Sequence, residues 1–315
     1  MSSTIKLSIV IVGYNSAQFL QNCLKSIFSQ TPPFQLEVIV VDNASTDNSV
    51  SLIRQHYPQT KIISNEENKG FACGNNQGIC QSLGQYILLL NPDTVVLDPA
   101  LERLVDYIEA TPDVGAVGPK IFNLDGSLQR TGVSFPSVWN LIVEVFFLDV
   151  IFPKSRLFGR HRRLYEDPNQ INEVDYVQGS CLLIRKNILD DIGSLDESFF
   201  IFFEETDLCF RLKKAGWNVL YFPDASIIHY GRGGLGYYDD VSLVQFHRSY
   251  LRFIKKHYSI IHQYLFRCVL FIRSLVRSIT LSFAGLFIGS RREEFFSRSQ
   301  GYWNVALLTL KAFDE

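Results

Sequence analysis

The chain has 315 residues, 47% hydrophobic and 20% charged, a balance that suits one large α/β domain with an appendage or two domains and excludes an intrinsically disordered chain. Its six cysteines (Cys23, Cys73, Cys80, Cys181, Cys209, Cys268) show no CxxC spacing and no pairing pattern, which points to reduced thiols in a cytosolic compartment and away from a zinc site. The net charge of −2 conceals a segregation: nine Lys or Arg and no Asp or Glu lie between Val241 and Arg292, while "KSRLFGRHRR" (154–163) adds five basic residues in ten, as expected of a surface that meets something anionic.

The N-terminal "MSSTIKLSIVIVGYN" holds an apolar run of six, too short for a signal sequence, and reads as a first strand at 7–12. Further strands are expected at 37–41, 60–64, 86–90 and 114–117, with helices between them at about 17–29, 47–56, 74–83 and 98–110. Continuous apolar strands separated by single helices predict a parallel sheet covered on both faces. Residues 125–173 carry Gly, Pro and basic residues and read as loops or an insertion. Strands at 176–184 and 218–222 bracket a helix near 206–215, and the pattern is helical from 241 onward. The longest uncharged stretches near the C-terminus are about 13 residues, short of the ~20 that span a bilayer.

Ligands of an open parallel sheet bind beyond the carboxyl ends of its strands. Those ends are polar here: Gly13-Tyr14-Asn15, Asp42-Asn43, Asn65 and Asn91-Pro92-Asp93. Turn-forming propensity explains any one of them; four together describe a site. Neither G-x-G-x-x-G nor G-x-x-x-x-G-K-[ST] is present, so phosphate needs another partner, and a divalent metal held by Asp93 meets that need.

The segments "LSIVIVGYN", "EVIVVDNASTDNS", "NKGFACGNNQG", "LLLNPDT", "VQGSCLLIRK" and "FFIFFEETDLCFRLKKAGW" resemble glycosyltransferase family 2, in particular its bacterial rhamnosyltransferase-like branch, over residues 5–232. The resemblance implies an α/β GT-A-type nucleotide-binding fold with a mostly parallel central sheet, a nucleoside-diphosphate sugar donor, Mg²⁺ or Mn²⁺, and inversion at the anomeric carbon. It implies that Tyr14, Asn15 and Asp42 hold base and ribose, and that Asn43, Lys69, Gly70 and Asn75 line the donor pocket. Asn91-Pro92-Asp93 matches the family's DxD position with Asn91 in place of the first acid, which leaves Asp93 as the metal ligand. His229, in "IIHYGRGG", matches a histidine that approaches metal or diphosphate; a hydrogen-bonded histidine at a strand end is the equal alternative.

A sugar hydroxyl that displaces a diphosphate needs a carboxylate to take its proton. Glu204, Glu205 and Asp207 are the candidates. Asp207 stands four residues before Arg211, which an ordinary helix pair explains. Glu205, expected just before the helix, is the favoured base, although the family commonly has Glu-Asp where this chain has Glu-Glu. Two other classes stay open: a sugar-nucleotide nucleotidyltransferase, which should carry a Gly-rich basic loop after the first strand, and a catalytically silent binding subunit, which should have lost the acids.

The organisation expected is a glycosyltransferase domain over 1–240, with donor and acceptor halves meeting near 125, and a helical extension over 241–315. On a helix over 260–288, Ile261, Leu265, Cys268, Ile272, Leu275, Val276, Ile279, Phe283 and Leu286 share one face, with Arg267, Arg273, Ser274, Arg277 and Ser278 on the other. This fits a basic amphipathic helix on an anionic membrane surface, peripheral on the cytoplasmic face of the plasma membrane, serving a glycan or lipid-linked acceptor. A helix buried in the domain or in a dimer seam would show the same stripe. Nucleic acid is not an expected partner, and the pattern leaves the oligomeric state open.

Overall fold

In the computed structural model, which describes residues 4–161, 163–231, 240–288 and 291–311, the chain divides into two compact units. The first comprises Met1–Val133, Glu166–Phe200 and Glu204–Gly231; the second comprises Ser134–Tyr165, Ile201–Phe203 and Arg232–Glu315. Residues 134–165 thus cluster with the C-terminal helices rather than with the acceptor half in which the sequence reading put them.

In the first unit the elements run β1 (Leu7–Gly13), α1 (Ala17–Phe28), β2 (Leu36–Asp42), α2 (Ser49–His56), β3 (Lys61–Ser64), α3 (Phe71–Cys80), β4 (Tyr86–Leu90), β5 (Thr94–Val96), α4 (Ala100–Ala110), β6 (Val114–Phe122), β7 (Leu128–Gln129) and β8 (Gly132–Val133). The second unit contributes α5 (Val138–Val145) and α6 (Leu148–Ile151). The chain then returns to the first unit with β9 (Asn172–Glu173), β10 (Tyr176–Val177), β11 (Cys181–Arg185), α7 (Lys186–Ile192), α8 (Glu204–Lys214) and β12 (Asn218–His229). Helices α9 (Asp240–His257), α10 (Ile260–Phe287) and α11 (Arg292–Leu310) complete the second unit.

The main sheet has the order β3-β2-β1-β4-β11-β6-β12-β5. All seven residues of β1 are buried, as its unbroken apolar run requires of a central strand with both faces covered. Its neighbours β2 and β4 run parallel to it, and the register aligns Gly13 with Asp42 and Ile11 with Leu90. Helix α3 lies against β1 because Gly74 and Gly78, one turn apart, leave room there: a Cβ on Gly74 would stand 2.8 Å from Val12, and one on Gly78 would collide with Val10.

The central sheet is mostly parallel, as expected, with β11 antiparallel between β4 and β6 and β5 antiparallel to β12. Three sequence expectations are corrected. Helix α3 starts at Phe71 rather than near 74, because Gly70, at φ 86°, takes the N-terminal cap position in a left-handed conformation that glycine adopts without strain. The strand expected at 176–184 is two pieces; Gln178-Gly179-Ser180 interrupts it, and β10 pairs with β8 in a separate ribbon. Strand β12 passes Pro223 through a shift of register between Phe222 and Ser226 and reaches His229, well beyond the expected end at 222.

In the second unit, α10 packs against α11, α5 and α9. Its outer face is largely apolar. Ser274 is fully buried while Ile279 is 67% exposed, and Ile261, Leu265, Ile272, Phe283 and Leu286 all face outward. The inward side mixes the apolar Phe266 and Leu270 with polar groups, several of them paired. Arg273 Nε pairs with Glu144 at 2.6 Å, Arg267 Nε donates to the Thr309 carbonyl at 2.8 Å, and Ser278 and Ser299 share hydrogen bonds. Arg277 lies 4.2 Å over the Phe147 ring. His247 beside Arg273 is held neutral, its pKa pushed down to about 4 by burial and by the arginine charge. The helix is therefore not basic on its free side, a correction to the expected amphipathic pattern: its arginines have internal partners. At 28 residues it is also long and apolar enough to cross a membrane by length and composition, unlike the short uncharged runs from which the sequence reading judged it.

Gly78→Ala is expected to destabilise the fold by ~1–3 kcal/mol, because the new methyl group must displace Val10 from the face of a buried strand. Urea denaturation followed by circular dichroism checks this, and an unchanged midpoint contradicts the packing described.

Candidate active site

The carboxyl ends of β1, β2, β3 and β4 lie on one edge of the sheet, and the reversed β11 starts at that edge, Cys181 facing Leu90. Strands β6 and β12 run with β1 and finish there as well. Three loops and the start of a helix therefore converge.

The first loop cluster is held by amides. Asn15 Oδ1 accepts from the Thr46 backbone N–H at 2.8 Å, which ties the end of β1 to the loop after β2. Asp42, 5% exposed, accepts from the Ser45 N–H. Asn43 donates to the Gly70 carbonyl at 2.9 Å and accepts from Asn65 at 2.8 Å; Asn65 exchanges two further hydrogen bonds with Gln77. Asn43 thus braces the loop that carries Lys69 and Gly70, with both ends of its amide engaged. Tyr14, 52% exposed, and Lys69 remain open to solvent. Asn75 is fully buried; its amide nitrogen donates to the Phe71 carbonyl and its Oδ1 has no partner.

The second cluster surrounds Asp93. Thr94 opens β5 and pairs with His229, so the end of β12 is fixed beside the Asn91-Pro92-Asp93 turn. The Tyr230 N–H donates to the Asp93 carbonyl at 2.8 Å, and His229 Nε2 stands 3.3 Å from Asp93 Oδ1. His229 Nδ1 is 3.0 Å from Gln129 Oε1. Residues 232–234 of the "IIHYGRGG" motif lie outside the described residues.

The third cluster holds the acids, and α8 begins at Glu204, two residues earlier than expected, so Glu204 and Glu205 occupy its first turn. Phe202 and Phe203 just ahead of it both have left-handed φ, 68° and 70°, a conformation that costs ~1–3 kcal/mol per residue unless its surroundings impose it. Asp207 is fully buried and pairs with Arg211 at 2.8 Å, and Arg211 in turn donates to the carbonyls of Ile192, Gly193 and Ser194. Its geometry is that of a structural clamp on the loop after α7, which counts against the base role held open for it. Glu204 is 4% exposed, whereas Glu205 is half-buried and lies along Gly179, where a Cβ would meet its Cγ at 3.3 Å.

Burial raises the pKa of both glutamates. For Glu204 the charge of Glu205 adds to the rise; for Glu205 the amides of Glu205, Thr206 and Gly179 and the Thr206 hydroxyl oppose it. The second and third clusters touch: the Asn91 N–H donates to the Ser180 carbonyl at 3.0 Å, next to Gly179. Around this junction the Oδ1 of Asn91, the hydroxyl of Ser180 and the Oε2 atoms of Glu204 and Glu205 are buried without partners. Orphaned polar atoms gathered in one place are what a polar ligand would satisfy.

Residues 8–193 match glycosyl transferase family 2. The chain belongs to this family. It is 28% identical over 265 residues to an N-acetylglucosaminyl-diphospho-decaprenol L-rhamnosyltransferase of Mycobacterium tuberculosis, covering 80% of this chain and 85% of that one. It is 30% identical over 224 residues to a low-salt glycan biosynthesis hexosyltransferase of Haloferax volcanii, covering 68% and 63%. Among solved structures, a mannosyltransferase of Pyrobaculum calidifontis in complex with GDP-Man and Mn²⁺ superposes with a TM-score of 0.56 at 16% identity, over 98% of this chain and 88% of that one. GalNAc-T7 with UDP, GalNAc and Mn²⁺ gives 0.54 at 17% identity, over 72% and 43%. These likenesses give the family member its GT-A-type α/β fold, and they leave the nucleotidyltransferase alternative without support.

Sequence reasoning missed Gly179, Ser180, Gln77 and Gln129. Gly179 alone left a signal, as a glycine inside an otherwise continuous strand pattern.

Because both glutamates titrate above their unfolded value, folding favours their protonated forms. That contribution is complete below the ordinary carboxylate range and is lost as pH rises through the raised one. Glu204→Gln should therefore melt at higher temperature than the wild type near about pH 8 and converge with it near about pH 4. Scanning calorimetry at both values reads the difference, and a variant less stable than the wild type near pH 8 contradicts the buried-pair picture.

Proposed function

We propose that this glycosyltransferase is a metal-dependent inverting enzyme that moves a sugar from a nucleoside-diphosphate donor to a hydroxyl of a lipid-linked or polysaccharide acceptor in cell-surface glycan synthesis. The observation that carries the reading is the hydrogen bond between Asn91 and Ser180, which joins the Asp93 turn to the loop against which Glu205 lies. The Mycobacterium relative's name supports rhamnose as the sugar, and its diphospho-decaprenol substrate supports a lipid-linked acceptor.

Mg²⁺ or Mn²⁺ fits the residues present. Among the described residues no three His, Cys, Asp or Glu side chains gather as a metal cage. Asp93 and His229 supply two ligands, which suits a cation that takes its remaining oxygens from water and a diphosphate. When bound, such a cation neutralises charge on the departing diphosphate. The chain's own residues do the rest. Tyr14, Asn15 and Asp42 receive base and ribose, and Asn43, Lys69, Gly70, Asn75 and Asn91 line the sugar-diphosphate side. Glu205 takes the proton of the acceptor hydroxyl while its oxygen bonds to the anomeric carbon from the face opposite the leaving group. The bond to the diphosphate oxygen breaks in the same step and its electron pair leaves with the nucleotide. The orphaned Oε2 of Glu205, raised in basicity by burial, supports that role.

Glu205→Gln should keep nucleotide binding and lower transfer by ~10²-fold or more. Asp207→Asn should instead cost ~3 kcal/mol or more of stability by leaving Arg211 without its buried partner. Released nucleoside diphosphate, measured with thermal melting, separates the two. A crippled but fully stable Asp207→Asn overturns the choice of Glu205.

The reading extends to a peripheral position on the anionic cytoplasmic leaflet of the plasma membrane. The outward apolar face of α10 supports it, as do exposed Arg248, Arg252 and Arg292 near that helix in sequence. With its arginines turned inward, attachment by α10 rests on apolar area more than on charge. Ile272→Glu combined with Ile279→Glu should lower co-sedimentation with anionic phospholipid vesicles by ~10-fold or more, since each change sets a charge on the face meant for the acyl boundary. Unchanged co-sedimentation contradicts the membrane reading; a wild-type dimer in light scattering that these changes dissociate assigns the face to a second copy instead.

A further inference from the structure

We propose that Gln129 is a positioning residue for the metal site, fixing the tautomer of His229 so that Nε2 offers its lone pair beside Asp93. The inference rests on the metal reading above. Gln129 ends β7, which pairs with the end of β6 so that Gln129 faces Ile121.

Two independent routes assign its amide. One end of that amide lies 3.2 Å from the main-chain carbonyl oxygen of His229. A carbonyl oxygen only accepts, so the atom facing it is Nε2, and the atom 3.0 Å from His229 Nδ1 is Oε1. The second route starts from Asp125. Hydrogen bonds from Ser127 hold its carboxyl below the usual range, so it is ionised and the Ser127 hydroxyl must donate to it, at 2.6 Å. That hydroxyl oxygen then accepts from Asn123, at 2.8 Å, which identifies the facing atom as Nδ2. Asn123 Oδ1 is left to accept from Gln129 Nε2, at 2.5 Å. Both routes turn Oε1 toward the imidazole.

Oε1 can only accept, so His229 Nδ1 carries hydrogen, and in the neutral ring Nε2 carries none. In that form Nε2 and Asp93 Oδ1, 3.3 Å apart, both have lone pairs to offer a cation. Outer hydrogen bonds that fix a ligating histidine in this way are worth ~10–100-fold in metal affinity. The series Asp125, Ser127, Asn123, Gln129, His229 thus favours the Nδ1–H tautomer, the one in which Nε2 can take a metal.

The test uses full-length protein, Mn²⁺ alone as probe and electron paramagnetic resonance to count free ion, with ring ¹⁵N shifts of His229 assigned by its loss in His229→Asn. Gln129→Met should weaken Mn²⁺ binding by ~10–100-fold and move the His229 proton off Nδ1, while Gln129→Glu, which still accepts from Nδ1, restores both. A merely structural role would move neither the ring shifts nor the rescue. A wild type that binds no Mn²⁺ overturns the metal reading itself. A wild type that binds it, with Gln129→Met binding as tightly or with the proton already on Nε2, overturns only the role of Gln129.

Discussion

The site depends on one reversal of chain direction. Strand β11 runs against β4 and β6, and because it starts at the edge where β4 ends, Cys181 meets Leu90 and the Ser180 carbonyl receives the Asn91 N–H. A parallel strand in that slot would begin at the opposite edge and carry Gly179 and Ser180 away from Asp93. Gly179 in turn admits the Glu205 side chain, so the carboxylate proposed as base and the carboxylate proposed as metal ligand are held by the same backbone turn.

Three adjacent acids acquire three different characters from their surroundings. Asp207 is neutralised by Arg211 and serves the loop after α7. Glu204 has neither cation nor solvent, and burial favours its protonated form. Glu205 lies half-buried along Gly179, its basicity raised by burial and opposed by the amides of Glu205, Thr206 and Gly179. Charge chemistry here is decided by a few ångströms of placement within two helical turns, since desolvation and pairing act in opposite directions on the same functional group.

The helical unit buries polar groups beside its apolar core. Arg273, Arg267 and Ser278 turn inward, where Glu144, the Thr309 carbonyl and Ser299 pair with them, next to the buried Phe266 and Leu270, while Ile272, Ile279, Phe283 and Leu286 stay exposed. Burying Arg273 costs desolvation that its pair with Glu144 must offset, while leaving Ile279 and Phe283 in water forgoes the apolar burial that normally stabilises a helix pair. An apolar environment on the outer face would recover that second term, which supports the proposed membrane position.

Much of this was legible in the residues themselves. Unbroken apolar runs fixed β1, β2 and β4 to within a residue, because a strand buried on both faces tolerates nothing else, and they also placed Asp42, Asn43 and Asp93 at or just beyond strand ends. The stripe of α10 followed from helical period alone. What a linear pattern could not contain was direction and partner. The reversal of β11, the passage of β12 beyond Pro223 to His229, the capture of Asp207 by Arg211 and the turn of Gln129 toward the imidazole all involve residues distant in sequence or a bulge that local propensity reads as an end. The period of α10 likewise set which residues share a face and not which face turns inward. Local sterics and periodicity are written along the chain; strand order, pairing and burial are settled only when distant segments compete for the same space.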